Sequence, residues 1–110
     1  MLSNQKRTSE SKRTILPRDV KKADIFLNDC EKLSHSGKHD MNVLKEVMML
    51  LIANDAPLPA EWKDHKLKGQ YSGSRECHVK GDLVLVYNIA EGNFNDLITF
   101  IRVGTHSEIF

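Results

Sequence analysis

At residue 75 the hydrophobic pattern of this chain changes period, and that change limits the folds open to it. Before it, apolar residues recur at three- and four-residue steps, the spacing of one helix face. After it they alternate, the spacing of strands with one covered face. Helices followed by strands with short breaks predict an α+β domain: two N-terminal helices packed on a small, mainly antiparallel sheet.

The first helical stripe is Val20, Ala23, Leu27, Cys30 and Leu33, with Phe26 beside it and lysines and aspartates on the other face. Pro17 suits its first helical position, and Gly37 follows its last turn. A short strand is expected just before it, in residues 12–16 (KRTIL). The second stripe is Met41, Leu44, Val47, Met48, Leu51 and Ile52, with Asp40 as cap and Asn54 and Pro57 closing it. Its three methionines are read as packing. So is Cys30.

Residues 55–74 form a connection rich in proline, glycine and charge, long enough to be functional or ordered by docking. Trp62 is expected to pack under it. Three strands follow, RECHV, LVLVYNIA and DLITFIRV, broken at Lys80-Gly81 and at Glu91-Gly92-Asn93. The last two should pair antiparallel, because so short a break cannot carry a parallel crossover.

Charge is unevenly spread. Residues 1–14 hold Lys6, Arg7, Lys12 and Arg13 against Glu10, so they carry +3, while the remainder carries −2. Residues 1–11 therefore read as a disordered basic extension and residues 12–110 as one domain. The folded part is not a generally basic nucleic-acid binder. No apolar run approaches the roughly 20 residues of a membrane span, and no secretory h-region opens the chain. Cys30 and Cys77 make no CxxC pair, which points to a reducing cytoplasm.

Three of the five histidines fall in polar settings in the second half: His65 in KDHKLKG, His78 in RECHVKGD and His106 in GTHSEIF. His35 and His39 are read as solvated, and Lys63, Lys66 and Lys68 as a candidate solvated run. Strand parity sends Cys77 and Val79 to the core and Glu76 and His78 outward. It also puts Arg102, Gly104 and His106 on one face with Ile98 and Phe100, so part of that face must be covered. Imidazoles with Asp82 are proper zinc ligands, yet separations of 13 and 28 residues match no local zinc signature. No glycine-rich phosphate loop and no GxSxG serine is present.

Taken together, PLPAEWKDHKLKG, RECHVKGDLVLVYNI and FIRVGTHSEIF resemble the YafQ branch of the RelE/ParE superfamily, toxins of bacterial type II toxin–antitoxin modules. The similarity covers roughly residues 14–110, and the combination LPxxxKDHxLxG, HVxxDxxLxY and GTHxxxF carries it. The resemblance implies the RelE-like fold and a metal-independent endoribonuclease (an mRNA interferase) without cofactor, acting on mRNA in the 70S ribosome. It also implies a DinJ- or RelB-like antitoxin as partner and a bacterial cytoplasmic location. It places His65, His78, Asp82 and His106 at catalytic positions. Glu76, Arg102, Phe110 and Lys63 fall at substrate-binding ones, with Arg102 facing phosphate and Phe110 stacking on a base.

Cutting RNA without metal requires the ribose 2′-oxygen to attack the adjacent phosphate. The step needs a base at the 2′-hydroxyl, a cation at the phosphate and an acid at the leaving 5′-oxygen. Imidazole, with an ordinary pKa near 6.5, serves as either acid or base. Two other readings stay open on the same residues: a ParE-like gyrase poison, and a module that binds RNA or antitoxin without catalysis.

Overall fold

The computed structural model describes residues 16–110. The expected extension over residues 1–11, and all but the last residue of the expected first strand, lie outside the described residues. The described chain runs β1 (Asp19–Lys22), α1 (Asp24–Ser36), α2 (Met41–Ala53), β2 (His65–Lys66), β3 (Arg75–Lys80), β4 (Leu83–Ala90), β5 (Leu97–Thr105) and α3 (His106–Ile109). One five-stranded sheet has the order β1-β5-β4-β3-β2. Only β1 pairs in parallel; the other pairs are antiparallel, including the expected β4–β5 hairpin.

The second helix and the three long strands lie where their hydrophobic periods put them. Asp40 caps α2, its Oδ1 accepting the Asn42 N–H at 2.9 Å, and Asn54 ends it in the left-handed region. Met41 and Met48 pack on the core, whereas Met49 is 64% exposed and does not.

The first helix begins later than Pro17. Residues 19–22 instead pair with Leu97–Phe100 of β5, and helix starts at Asp24. All four β1 side chains are exposed, so the strand is held by backbone hydrogen bonds rather than by an apolar face, and Val20 is not part of a helical stripe. The buried face of α1 is Phe26, Asp29 and Leu33, while Leu27 is 48% exposed. One of the aspartates expected on the solvated face is therefore inside. Gly37 ends the helix at φ 69°, in the region where glycine carries no steric cost.

Both helices cover one face of the sheet. Phe26 stacks on Phe100 with ring centroids 5.6 Å apart, over Val47, Leu51, Leu85 and Tyr87. Cys77 is fully buried there, which pushes its thiol up to about 12. A second cluster (Val84, Val86 and Ile109, with Leu67, Tyr71 and Ile101) fills the opposite face. The 55–74 connection and the C-terminal turn thus cover part of the face away from the helices, and the mixed alternation of β5 has a separate cause. Trp62, expected to pack under its own connection, packs against the helix-side core.

A bulge explains why that alternation is mixed. Val86 pairs with Arg102 and Tyr87 with Phe100, so Ile101 is one residue too many for β4. Ile98 and Phe100 stay on the helix side, Ile101 packs on the opposite face, and Val103 returns to the helix side. Arg102 and His106 do not share a simple face with Ile98 and Phe100; the bulge breaks the parity. No helix among the described residues is long and apolar enough to cross a membrane.

Candidate active site

Glu76, the second residue of β3, lies on the face away from the helices, but it does not point to solvent. The connection and the C-terminal turn cover it, leaving it 2% exposed. Three imidazoles surround its carboxyl group. His65 is its direct partner across the β2–β3 ladder, with Nε2 3.6 Å from Glu76 Oε1. His78 follows two residues along β3, on the same face, with Nε2 3.8 Å from Oε1. His106 opens α3 and brings its Nε2 to 3.8 Å from Oε2. These separations are longer than hydrogen bonds. The buried Oε2 has no hydrogen-bond partner, so the cluster is gathered but not closed, a common state of acid–base sites without substrate.

Each histidine is held by backbone. His65 Nδ1 lies 2.7 Å from the Lys63 carbonyl, an acceptor only, so Nδ1 donates to it and Nε2 is the nitrogen turned toward Glu76. Lys63 contributes this carbonyl from a left-handed backbone at φ 50°; its exposed side chain forms no ion pair with a described residue. Asp64 clamps the same segment to the sheet. Its Oδ2 accepts Arg75 Nε at 2.9 Å and Nη2 at 2.6 Å, and its Oδ1 accepts the Tyr87 hydroxyl. The Asp64 carboxylate raises the Arg75 pKa, and burial followed by Asp64 raises that of the Tyr87 phenol. Asp64, Arg75 and Tyr87 were not singled out from sequence. The sequence marks Asp64 only by its place between Lys63 and His65 in KDHKLKG.

The C-terminal turn is built by a capping box. Glu108 Oε1 accepts the Thr105 N–H at 2.9 Å and the Thr105 hydroxyl at 2.8 Å, and Ile109 is buried in the second cluster. The His106 N–H donates to the Asp82 carbonyl at 3.2 Å. Asp82 thus steadies His106 through its backbone, from the turn set by Gly81 at φ 60°. Its exposed carboxyl group forms no ion pair with any of the three imidazoles. The Phe110 ring is half exposed, 4.7 Å from the His106 ring and edge-on to Tyr71 at 5.5 Å.

Arg102 is already partnered. Asp29 of α1 accepts its Nε at 2.8 Å and its Nη2 at 3.2 Å, and Nη1 lies 3.5 Å from the Tyr71 hydroxyl. The hydrogen bond to Asp29 raises the Arg102 pKa further, so it is a permanent cation. Among the described residues, no group of three or more His, Cys, Asp or Glu side chains is spaced to hold a metal ion.

The capping box makes the turn titrate. The Thr105 N–H, and then its hydroxyl, hold the Glu108 carboxyl below its ordinary 4.5. A lowered folded-state value stabilises the docked turn above 4.5, and that contribution is lost as pH falls through the lowered value. The Thr105 amide resonance should therefore shift with a midpoint below 4.5, and Glu108→Gln should abolish the shift. A midpoint at or above 4.5 would refute this.

Residues 18–110 match the family model described as bacterial toxin of type II toxin–antitoxin system, YafQ. The chain is 40% identical over 96 residues to the mRNA interferase toxin YafQ of Escherichia coli K12, covering 87% of this chain and 99% of that protein. It is similar to the toxin in the crystal structure of the E. coli DinJ–YafQ toxin–antitoxin complex, with TM-score 0.73 and 40% identity over 86% of this chain and 99% of that one. It is also similar to a metal-bound toxin from Helicobacter pylori, with TM-score 0.72 and 38% identity over 84% of this chain and 99% of that one.

Proposed function

This chain belongs to the YafQ family of bacterial type II toxins, and on that premise we propose that it is an endoribonuclease that cuts mRNA on the ribosome by imidazole acid–base catalysis without a metal. The observation that carries the reading is the convergence of His65, His78 and His106, from three separate elements, on one buried carboxyl group. Two imidazoles supply the base at the 2′-hydroxyl and the acid at the 5′-oxygen, and the third orients or relays. Glu76 steadies whichever imidazole carries the extra proton. Arg102 is the cation at the phosphate, and the half-exposed Phe110 ring offers a base a surface to stack on. Lys63 and the Asp82 carboxyl, both open to solvent, are left to contact the RNA backbone and ribose.

The ribosome enters because residues 15–110 carry −2 and neutralise few phosphates unaided. Residues 12–110 form the toxin domain, in the bacterial cytoplasm, and a DinJ-like antitoxin is the natural partner. The test is to supply purified protein with ribosomes carrying mRNA in the A site and to analyse the cut ends. The upstream fragment should end in a 2′,3′-cyclic or 3′-phosphate, with cutting unaffected by EDTA once the ribosome's magnesium is maintained. A 3′-hydroxyl end would indicate metal-activated water instead. Intact mRNA with damaged DNA would indicate a gyrase poison.

A further inference from the structure

We propose that Asp29 is a positioning residue that sets the orientation in which Arg102 meets the scissile phosphate, an inference that rests on the ribonuclease reading above. Asp29 lies on the sheet-facing side of α1 and is only 8% exposed. A carboxyl group so placed needs donors, and it has three. Its Oδ2 accepts both Arg102 Nε at 2.8 Å and the backbone N–H of Val103 at 3.1 Å, while Oδ1 accepts Arg102 Nη2 at 3.2 Å. The Val103 N–H is available because β1 stops pairing with β5 at Phe100. One carboxyl group therefore grips the backbone and the adjacent side chain together, fixing the guanidinium relative to the strand.

The grip is selective within the guanidinium. Arginine has five N–H donors in a planar fork. Asp29 occupies the side edge, Nε with one Nη2 hydrogen, and the Tyr71 hydroxyl lies 3.5 Å from Nη1. That leaves one hydrogen on Nη1 and one on Nη2 free for phosphate oxygens. Tyr71 packs edge-on against Phe110, which packs on His106, so a run of ring contacts links the guanidinium to the imidazole cluster. A carboxylate beside the cation weakens its pull on any anion. What it contributes is direction, which acts on the rate more than on binding.

A purely structural ion pair between α1 and β5 would change thermal stability and nothing at the phosphate. The distinguishing substrate is ribosome-bound mRNA with a single Rp or Sp phosphorothioate at the cut site. Wild type should prefer one diastereomer, and Arg102→Ala should lose both rate and preference. Asp29→Asn should lower kcat by about 10- to 100-fold, shrink the preference, and add no further loss in the Arg102→Ala background. In the wild-type free protein the Arg102 Nε–H should be a slowly exchanging NMR signal, a readout that needs no variant to fold. The proposal is overturned if that signal exchanges freely, if Asp29→Asn keeps wild-type kcat and preference, or if the two losses add. Should wild type cut neither diastereomer nor unmodified mRNA, the ribonuclease reading itself fails and this proposal falls with it.

Discussion

Replacing His106 with alanine should slow cleavage of ribosome-bound mRNA by roughly 10²–10⁴-fold, the usual worth of a general acid or base, and leave the fold in place. His106 is mostly solvent-exposed as a side chain, at 62%, and the turn it opens is held by other groups. Its backbone N–H still donates to Asp82, the Thr105–Glu108 box is untouched, and Ile109 remains buried. What is lost is the Nε2 beside Glu76 and the ring under Phe110. His78→Ala should behave alike, because its side chain is 34% exposed and its strand is pinned on both sides by β2 and β4. If one acts as acid and the other as base, a bell-shaped pH–rate profile should lose one limb in each variant, and a different one. Near-normal rates in both variants would move the chemistry elsewhere on the surface.

Glu76→Gln should separate activity from stability. A buried carboxyl oxygen without a donor is a liability to the fold. Glutamine has nearly the same shape and no charge, so it removes the cost of burying a carboxylate oxygen that no donor reaches. Thermal unfolding should hold steady or move up. The rate should nevertheless fall by roughly 10²-fold or more, because the group facing all three Nε2 atoms no longer stabilises an imidazolium as it forms. Glu76→Asp is the control, retaining the charge but drawing it back by one methylene. Its rate should lie between the two. A glutamine variant that melts several degrees lower with normal activity per folded molecule would make Glu76 a structural residue. Sites that trade stability for function commonly behave in the first way.

Much of this molecule is legible in its sequence, and the parts that are not have a common cause. Helix α2 and strands β3 to β5 announce themselves because each buries a continuous apolar face, and burial is written locally as a period of 3.6 or 2. The three motif histidines and Glu76 were also nameable from residue type and setting. Strand β1 was missed because none of its side chains is buried. It exists through backbone pairing with residues 78 positions further on, such as Asp19 with Leu97, and backbone hydrogen bonds leave no mark in side-chain sequence. The bulge at Ile101 is equally silent, since one extra residue changes no local composition.

The sequence alone determined which faces are apolar, where the elements turn, and which side chains carry titratable nitrogen. Only the tertiary structure decided which partner each charge meets. Glu76 was expected to face water and is instead covered by the connection and the C-terminal turn, so that it faces His65, His78 and His106. Asp29 was expected among the solvated residues of α1 and is buried against Arg102, 73 positions away. Apolar burial is non-directional, so a residue's neighbours in sequence go far toward predicting it, although Val20, Leu27 and Met49 stay exposed. A charge is stabilised by a particular group at a particular distance, and that distance is set by how distant segments pack.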